Sequence, residues 1–151
     1  DLYEQFKFLQ NACGGTPGPQ DCFLVLRGIK TLHLRMKAHC ENGRAVADFL
    51  ANHPLVAQVY YPGLLSHKTH AIAQKQMRDF GGMVSFVLKK DSVETAIKTL
   101  ENFQLFALAE SLGGVESLCG HPVTMTHASI PREIRQQSGL KDSLIRLSVG
   151  I

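Results

Sequence analysis

Apolar residues recur every three or four positions along the first third of the chain and gather into short runs after it, so helices come first and mixed elements follow. Leu2, Phe6 and Leu9 fall at helical spacing until Cys13-Gly14-Gly15-Thr16-Pro17-Gly18-Pro19 interrupts them with turn formers. From Asp21 the positions Cys22, Leu26, Ile29, Leu32, Met36, Cys40, Gly43, Ala47 and Leu50 continue a single helix that stops at His53-Pro54. Such a helix would extend on the order of 45 Å at 1.5 Å per residue, enough to bridge two bodies, with Gly28 and Gly43 as its bending points. The pattern thus divides the chain into a connector over 1–20, a long helix over 21–53 and a mixed region over 54–151.

Beyond Pro54 the elements shorten. Val56 to Tyr61 reads as a strand, His67 to Arg78 as a helix, and Met83 to Leu88 as a β-rich strand after the Gly81-Gly82 turn. Asp91 or Ser92 can cap a helix whose buried face carries Val93, Ile97 and Leu100. A strand over Leu105 to Leu108, an irregular Gly-containing segment, a short helix over Pro131 to Gln137 and a final strand over Ser143 to Val149 complete an α/β layer of sheet against helices.

Composition narrows the function classes. With 44% hydrophobic and 19% charged residues among 151, the chain suits one globular domain. The net charge of +3 comes from scattered residues such as Lys7, Arg27 and Arg78, which form no track for a phosphate backbone, so no nucleic-acid partner is expected. No apolar run approaches the roughly 20 residues of a membrane span. The first 15 residues carry acids where a signal peptide would be basic then apolar, and Cys13, Cys22, Cys40 and Cys119 show no C-x-x-C pair. Reduced thiols in a cytoplasmic protein are the expectation. Both ends read as elements under way, a helix at Asp1 and a strand at Ile151, which suggests a fragment of a longer chain.

Candidate chemistry lies in two places. Leu108 to Ser117 runs from a strand into two glycines and carries Glu110, Ser111 and Leu112; this is the pattern of a ligand-contacting loop and also of an ordinary surface turn. Arg146 lies in a strand where Leu144, Arg146 and Ser148 share one face and Ile145, Leu147 and Val149 the other. Its planar fork suits a substrate carboxylate or a structural ion pair, and spacing leaves both open. His67-x-x-His70 and the His127 region lack further ligands at metal spacing, so no metal site is expected.

Seven co-linear blocks carry a resemblance. They are Phe8 to Asn11, Arg27 to Met36, Tyr61-Pro62-Gly63-Leu64, Gly82 to Phe86, Leu108 to Gly114, Met125-Thr126-His127-Ala128-Ser129 and Leu144 to Gly150. In order and spacing the chain resembles the Cys/Met-metabolism (transsulfuration) family of pyridoxal-phosphate enzymes. The resemblance implies the C-terminal small domain of a type I aminotransferase-like fold, with 1–20 ending the large cofactor domain, 21–53 an interdomain helix and 54–151 the substrate-facing α/β domain. It implies substrate-binding roles for Arg146, which grips an α-carboxylate, for Glu110, Ser111 and Leu112 on the same pocket, and for Thr126 nearby.

Glu110 points the resemblance toward γ-elimination of cystathionine, because the acid suits a second, distant ammonium, whereas relatives specialised for β-elimination tend to carry an aromatic there. Replacement chemistry on an acylated homoserine and a non-catalytic amino-acid-binding domain are the alternatives. The cofactor implied is pyridoxal 5'-phosphate, held by an upstream domain that also brings the Schiff-base lysine, so residues 1–151 alone would be inactive. A homotetramer acting on a small amino-acid substrate is the implied assembly.

Overall fold

The computed structural model describes all 151 residues, which separate into two units, Asp1–Leu34 and Arg35–Ile151. The first unit holds α1 (Leu2–Cys13) and α2 (Pro19–Ile29). Asp1 caps α1 by accepting from the Tyr3 N–H, and Gly14 closes it at φ 66°, a left-handed value that glycine adopts without strain. No residue of α1 or α2 is buried, and Leu2, Phe6, Phe8, Phe23 and Leu26 stand exposed.

The continuous helix expected over 21–53 is instead two helices, α2 and α3 (Leu32–Ala51), interrupted at Lys30-Thr31. Glycine weakens a helix interior, and the Thr31 hydroxyl competes for the carbonyl of Gly28 that the ladder would use. Gly43, the other bending point expected, leaves α3 unbroken. Its missing side chain lets the Gly81-Gly82 turn approach, and a Cβ there would stand 2.6 Å from the Gly81 carbonyl oxygen.

In the second unit β1 (Val56–Tyr60), β2 (Met83–Leu88), β3 (Ala107–Leu108), β4 (Leu118–Gly120) and β5 (Ile145–Ser148) form one mixed sheet in the order β1-β2-β5-β4-β3. Only β3 and β4 run parallel; the other neighbours are antiparallel. The strand pattern places β2 as expected, while β4 went unread because three residues carry no period. The helices are α4 (His70–Gln76), α5 (Val93–Glu101) and α6 (Arg132–Gln137).

The core gathers Val84, Phe86, Cys119, Ile145 and Leu147 from the sheet with Ala47 and Leu50 of α3 and Ala96 of α5. Register pairs Phe86 with Ile145 and Leu147 with both Val84 and Cys119, so the buried rows continue across strands. Ser92 is the cap of α5, its Oγ accepting from the Thr95 N–H at 3.2 Å, whereas Asp91 accepts from the Ser143 N–H and hydroxyl. Ala96 rather than Ile97 sits deepest on α5, since Ile97 remains 39% exposed. Across the chain end, His39 Nδ1–H donates to Val149 O at 2.7 Å and the Asn42 amide to Gly150 O, which moors β5 to α3.

Candidate functional site

Register determines where the cation stands. Ser85 of β2 and Gly120 of β4 are the cross-strand partners of Arg146, and Tyr60 of β1 pairs in turn with Ser85. The row Tyr60-Ser85-Arg146-Gly120 therefore crosses four strands at one level. A Cβ at Gly120 would lie 3.3 Å from both Arg146 Nη2 and the Ala109 carbonyl, so the absent side chain leaves the guanidinium its room.

The half-buried guanidinium is held by backbone alone. Nη2 donates to the carbonyls of Ser111 at 2.9 Å, Ala109 at 3.2 Å and Glu110 at 3.4 Å, and Nη1 donates to Glu110 O at 3.4 Å. The ion pairs of the chain are Arg132 with Asp142 and Lys37 with Glu41, so the structural ion pair considered for Arg146 is not formed. Its formal charge meets carbonyl dipoles but no carboxylate, which leaves it an attractive seat for an anion.

Around it lies a crevice lined by Ala109, Glu110, His121, Met125, Thr126 and Arg146. Three of the sequence-predicted residues thus come together: Arg146, Glu110 and Thr126. Ser111 takes part through its carbonyl rather than its side chain, and Leu112 is 56% exposed and outside the lining. The volume of the crevice, about 10 Å³, matches roughly one water. A crevice of that size cannot enclose an amino acid unaided.

Sequence reasoning missed His121 and Gly120, which lie at the end of the unread strand β4. His121 is 1% exposed, with Nδ1 bonded to Thr124 Oγ1 at 2.9 Å and Nε2 to Asp142 O at 2.8 Å. Since a carbonyl only accepts, Nε2 carries the proton and Nδ1 accepts from the Thr124 hydroxyl. The ring thereby ties the loop bearing Met125 and Thr126 to the approach of β5. Thr126 Oγ1 meets His127 Nδ1 at 2.8 Å. Burial pushes the Cys119 thiol above its ordinary range, with Arg146 pulling the other way.

The histidines considered for metal are used locally. His67 Nδ1 accepts from Thr69, and His70 Nδ1–H donates to Pro62 O while its ring stacks on Phe80 at 5.5 Å.

A family model described as "Cys/Met metabolism PLP-dependent enzyme" matches residues 1–151. A cystathionine beta-lyase of Coxiella burnetii is 61% identical over 99% of this chain and 38% of its own length. A cystathionine gamma-lyase of Dictyostelium discoideum is 57% identical over the whole chain and 39% of its length. Among solved structures, the cystathionine gamma synthase of Xanthomonas oryzae pv. oryzae, in complex with aminoacrylate and cysteine, superposes with a TM-score of 0.90 at 47% identity, covering 99% of this chain and 38% of that one. The chain therefore spans less than two fifths of the length of these relatives.

Proposed function

Because the chain belongs to the Cys/Met metabolism PLP-dependent enzyme family, we propose that its Arg146 crevice is the substrate-carboxylate wall of an enzyme that cleaves cystathionine by γ-elimination. The observation that carries this reading is the half-buried guanidinium with no carboxylate partner, beside Glu110 and Thr126. A bidentate carboxylate would take up the Arg146 fork, and the exposed Glu110 side chain would meet the second ammonium of cystathionine. The overall reaction takes cystathionine and water to cysteine, 2-oxobutanoate and ammonia.

The family's cofactor, pyridoxal phosphate, supplies an electron sink when bound. The crevice lining contains no lysine amine for a Schiff base, so no step of the cofactor's chemistry is assigned to these residues. What they contribute is substrate orientation: a fixed cation for one end of the amino acid and an anion for the other. The same reading has the whole enzyme acting as a cytoplasmic homotetramer.

β-Elimination is a second reading, supported by the beta-lyase at 61% identity beside the gamma-lyase at 57%. Both cleavages need the same carboxylate anchor, so overall similarity does not choose. Full-length protein loaded with pyridoxal phosphate, given cystathionine in one assay and an acylated homoserine with cysteine in another, separates the readings by product. Cysteine with 2-oxobutanoate is the expected result, homocysteine with pyruvate establishes the β reading, and cystathionine formation from acylated homoserine outpacing both establishes the replacement reading.

A further inference from the structure

Two residues of β5 that share a face, Arg146 and Ser148, both reach the loop that carries Glu110. Arg146 holds the carbonyls of Ala109, Glu110 and Ser111, as described above. Ser148 is 2% exposed, and its Oγ accepts from the Gly113 N–H at 2.8 Å across a separation of 35 residues. Gly113 has φ 78°, so the chain turns there and the loop is pinned where it changes direction. The two grips differ in kind. The loop carbonyls take Nη1 and Nη2 of Arg146 but leave Nε, which is buried without a hydrogen-bond partner, so a carboxylate that engages the Nη atoms competes with the loop for them. Ser148 is enclosed and is not among the residues that line the crevice, so a carboxylate arriving at Arg146 would not compete for its bond.

We infer that Ser148 is a positioning residue: its buried hydroxyl holds the 109–113 loop, and so the Glu110 carboxylate, at a constant distance from the substrate anchor when Arg146 transfers its hydrogen bonds from the loop to the substrate. This deepens the γ-elimination reading and rests on it. The consequence is selectivity for substrates with a distal ammonium, since a loop free to drift would still allow Arg146 to bind but would misplace the acid.

A neighbouring bond serves as the control. Ser117 Oγ accepts from the Gly150 N–H at 2.9 Å, joining the same loop region to the end of β5 but four residues beyond Gly113. Removing it should loosen the fold without moving Glu110.

The test uses the full-length, cofactor-loaded protein and reads 2-oxobutanoate from cystathionine and from an acylated homoserine, which lacks the distal ammonium. In Ser148→Ala, kcat/KM for cystathionine should fall about tenfold, mostly through KM, and that for the acylated homoserine less than about twofold. Ser117→Ala should leave the ratio between the two substrates unchanged, and Ser148→Thr, which keeps the acceptor, should restore much of the preference. Equal losses on both substrates, or none, would overturn the assignment. If wild-type protein turns over neither substrate, the elimination reading itself fails. Amide exchange at Gly113 then decides the clamp, supporting it if exchange in Ser148→Ala is at least tenfold faster and refuting it if the rates agree.

Discussion

Arg146 Nη2 donates to the carbonyl oxygen of Ser111 at 2.9 Å, the shortest of the bonds by which the guanidinium holds the loop beside it. A side chain proposed to bind substrate is thus also a structural tie, and its replacement should register in both respects.

Arg146→Lys keeps the charge but loses the fork. The expected result is a fall in kcat/KM of about 10- to 100-fold together with a loss of about 1 kcal/mol in unfolding free energy as the loop carbonyls lose their donors. Steady-state kinetics and urea denaturation measure the two. Undiminished activity would remove Arg146 from the substrate site.

Glu110→Gln removes a charge from an exposed side chain whose carbonyl still receives Arg146. Stability should stay within about 0.5 kcal/mol of wild type. The preference for cystathionine over acylated homoserine should drop about tenfold, because only the first has a distal ammonium to lose its partner. A preference that survives intact would mean that another group recognises the distal end.

Gly43→Ala puts a methyl group 2.6 Å from Gly81 O and 3.0 Å from Gly82 Cα, both backbone atoms with little freedom to yield. Alanine gains about 1 kcal/mol of helix propensity over glycine. Overpacking costs about 1–3 kcal/mol in a well-packed site. The clash should win, and thermal or chemical denaturation should show a net loss; a stabilised variant would mean that α3 and the turn separate easily.

Tyr61 is 1% exposed, donates its hydroxyl to Gly81 O at 3.0 Å, and has its pKa pushed up to about 12, chiefly by burial and then by Asp79. Folding therefore favours the protonated phenol. Its contribution is complete below the ordinary value near 10 and drains away as pH rises toward 12. The stability difference between wild type and Tyr61→Phe should shrink by on the order of 2 kcal/mol between pH 9 and pH 12. A difference that stays constant over that window would show that Tyr61 does not titrate with unfolding.

What the sequence by itself determined is the local and the repetitive. The apolar run of β2, the end of α3 before Pro54 and the opposite faces of β5 are legible because burial imposes a period of 2 or 3.6 on each segment. Glu110, Thr126 and Arg146 were legible through the order of seven blocks, and they do converge on one crevice. The tertiary structure decided what depends on pairs of distant segments. The break at Lys30-Thr31 leaves no mark in the apolar spacing, which runs on through it, and the three-residue strand β4 exists only because β3 and β5 flank it. That Arg146 is tied to carbonyls rather than to an acid, with Ser148 gripping the same loop, follows from the sheet order placing β4 beside β5. A residue's periodicity records which way it faces, but the partner it meets there is chosen by strand order, which no single segment encodes.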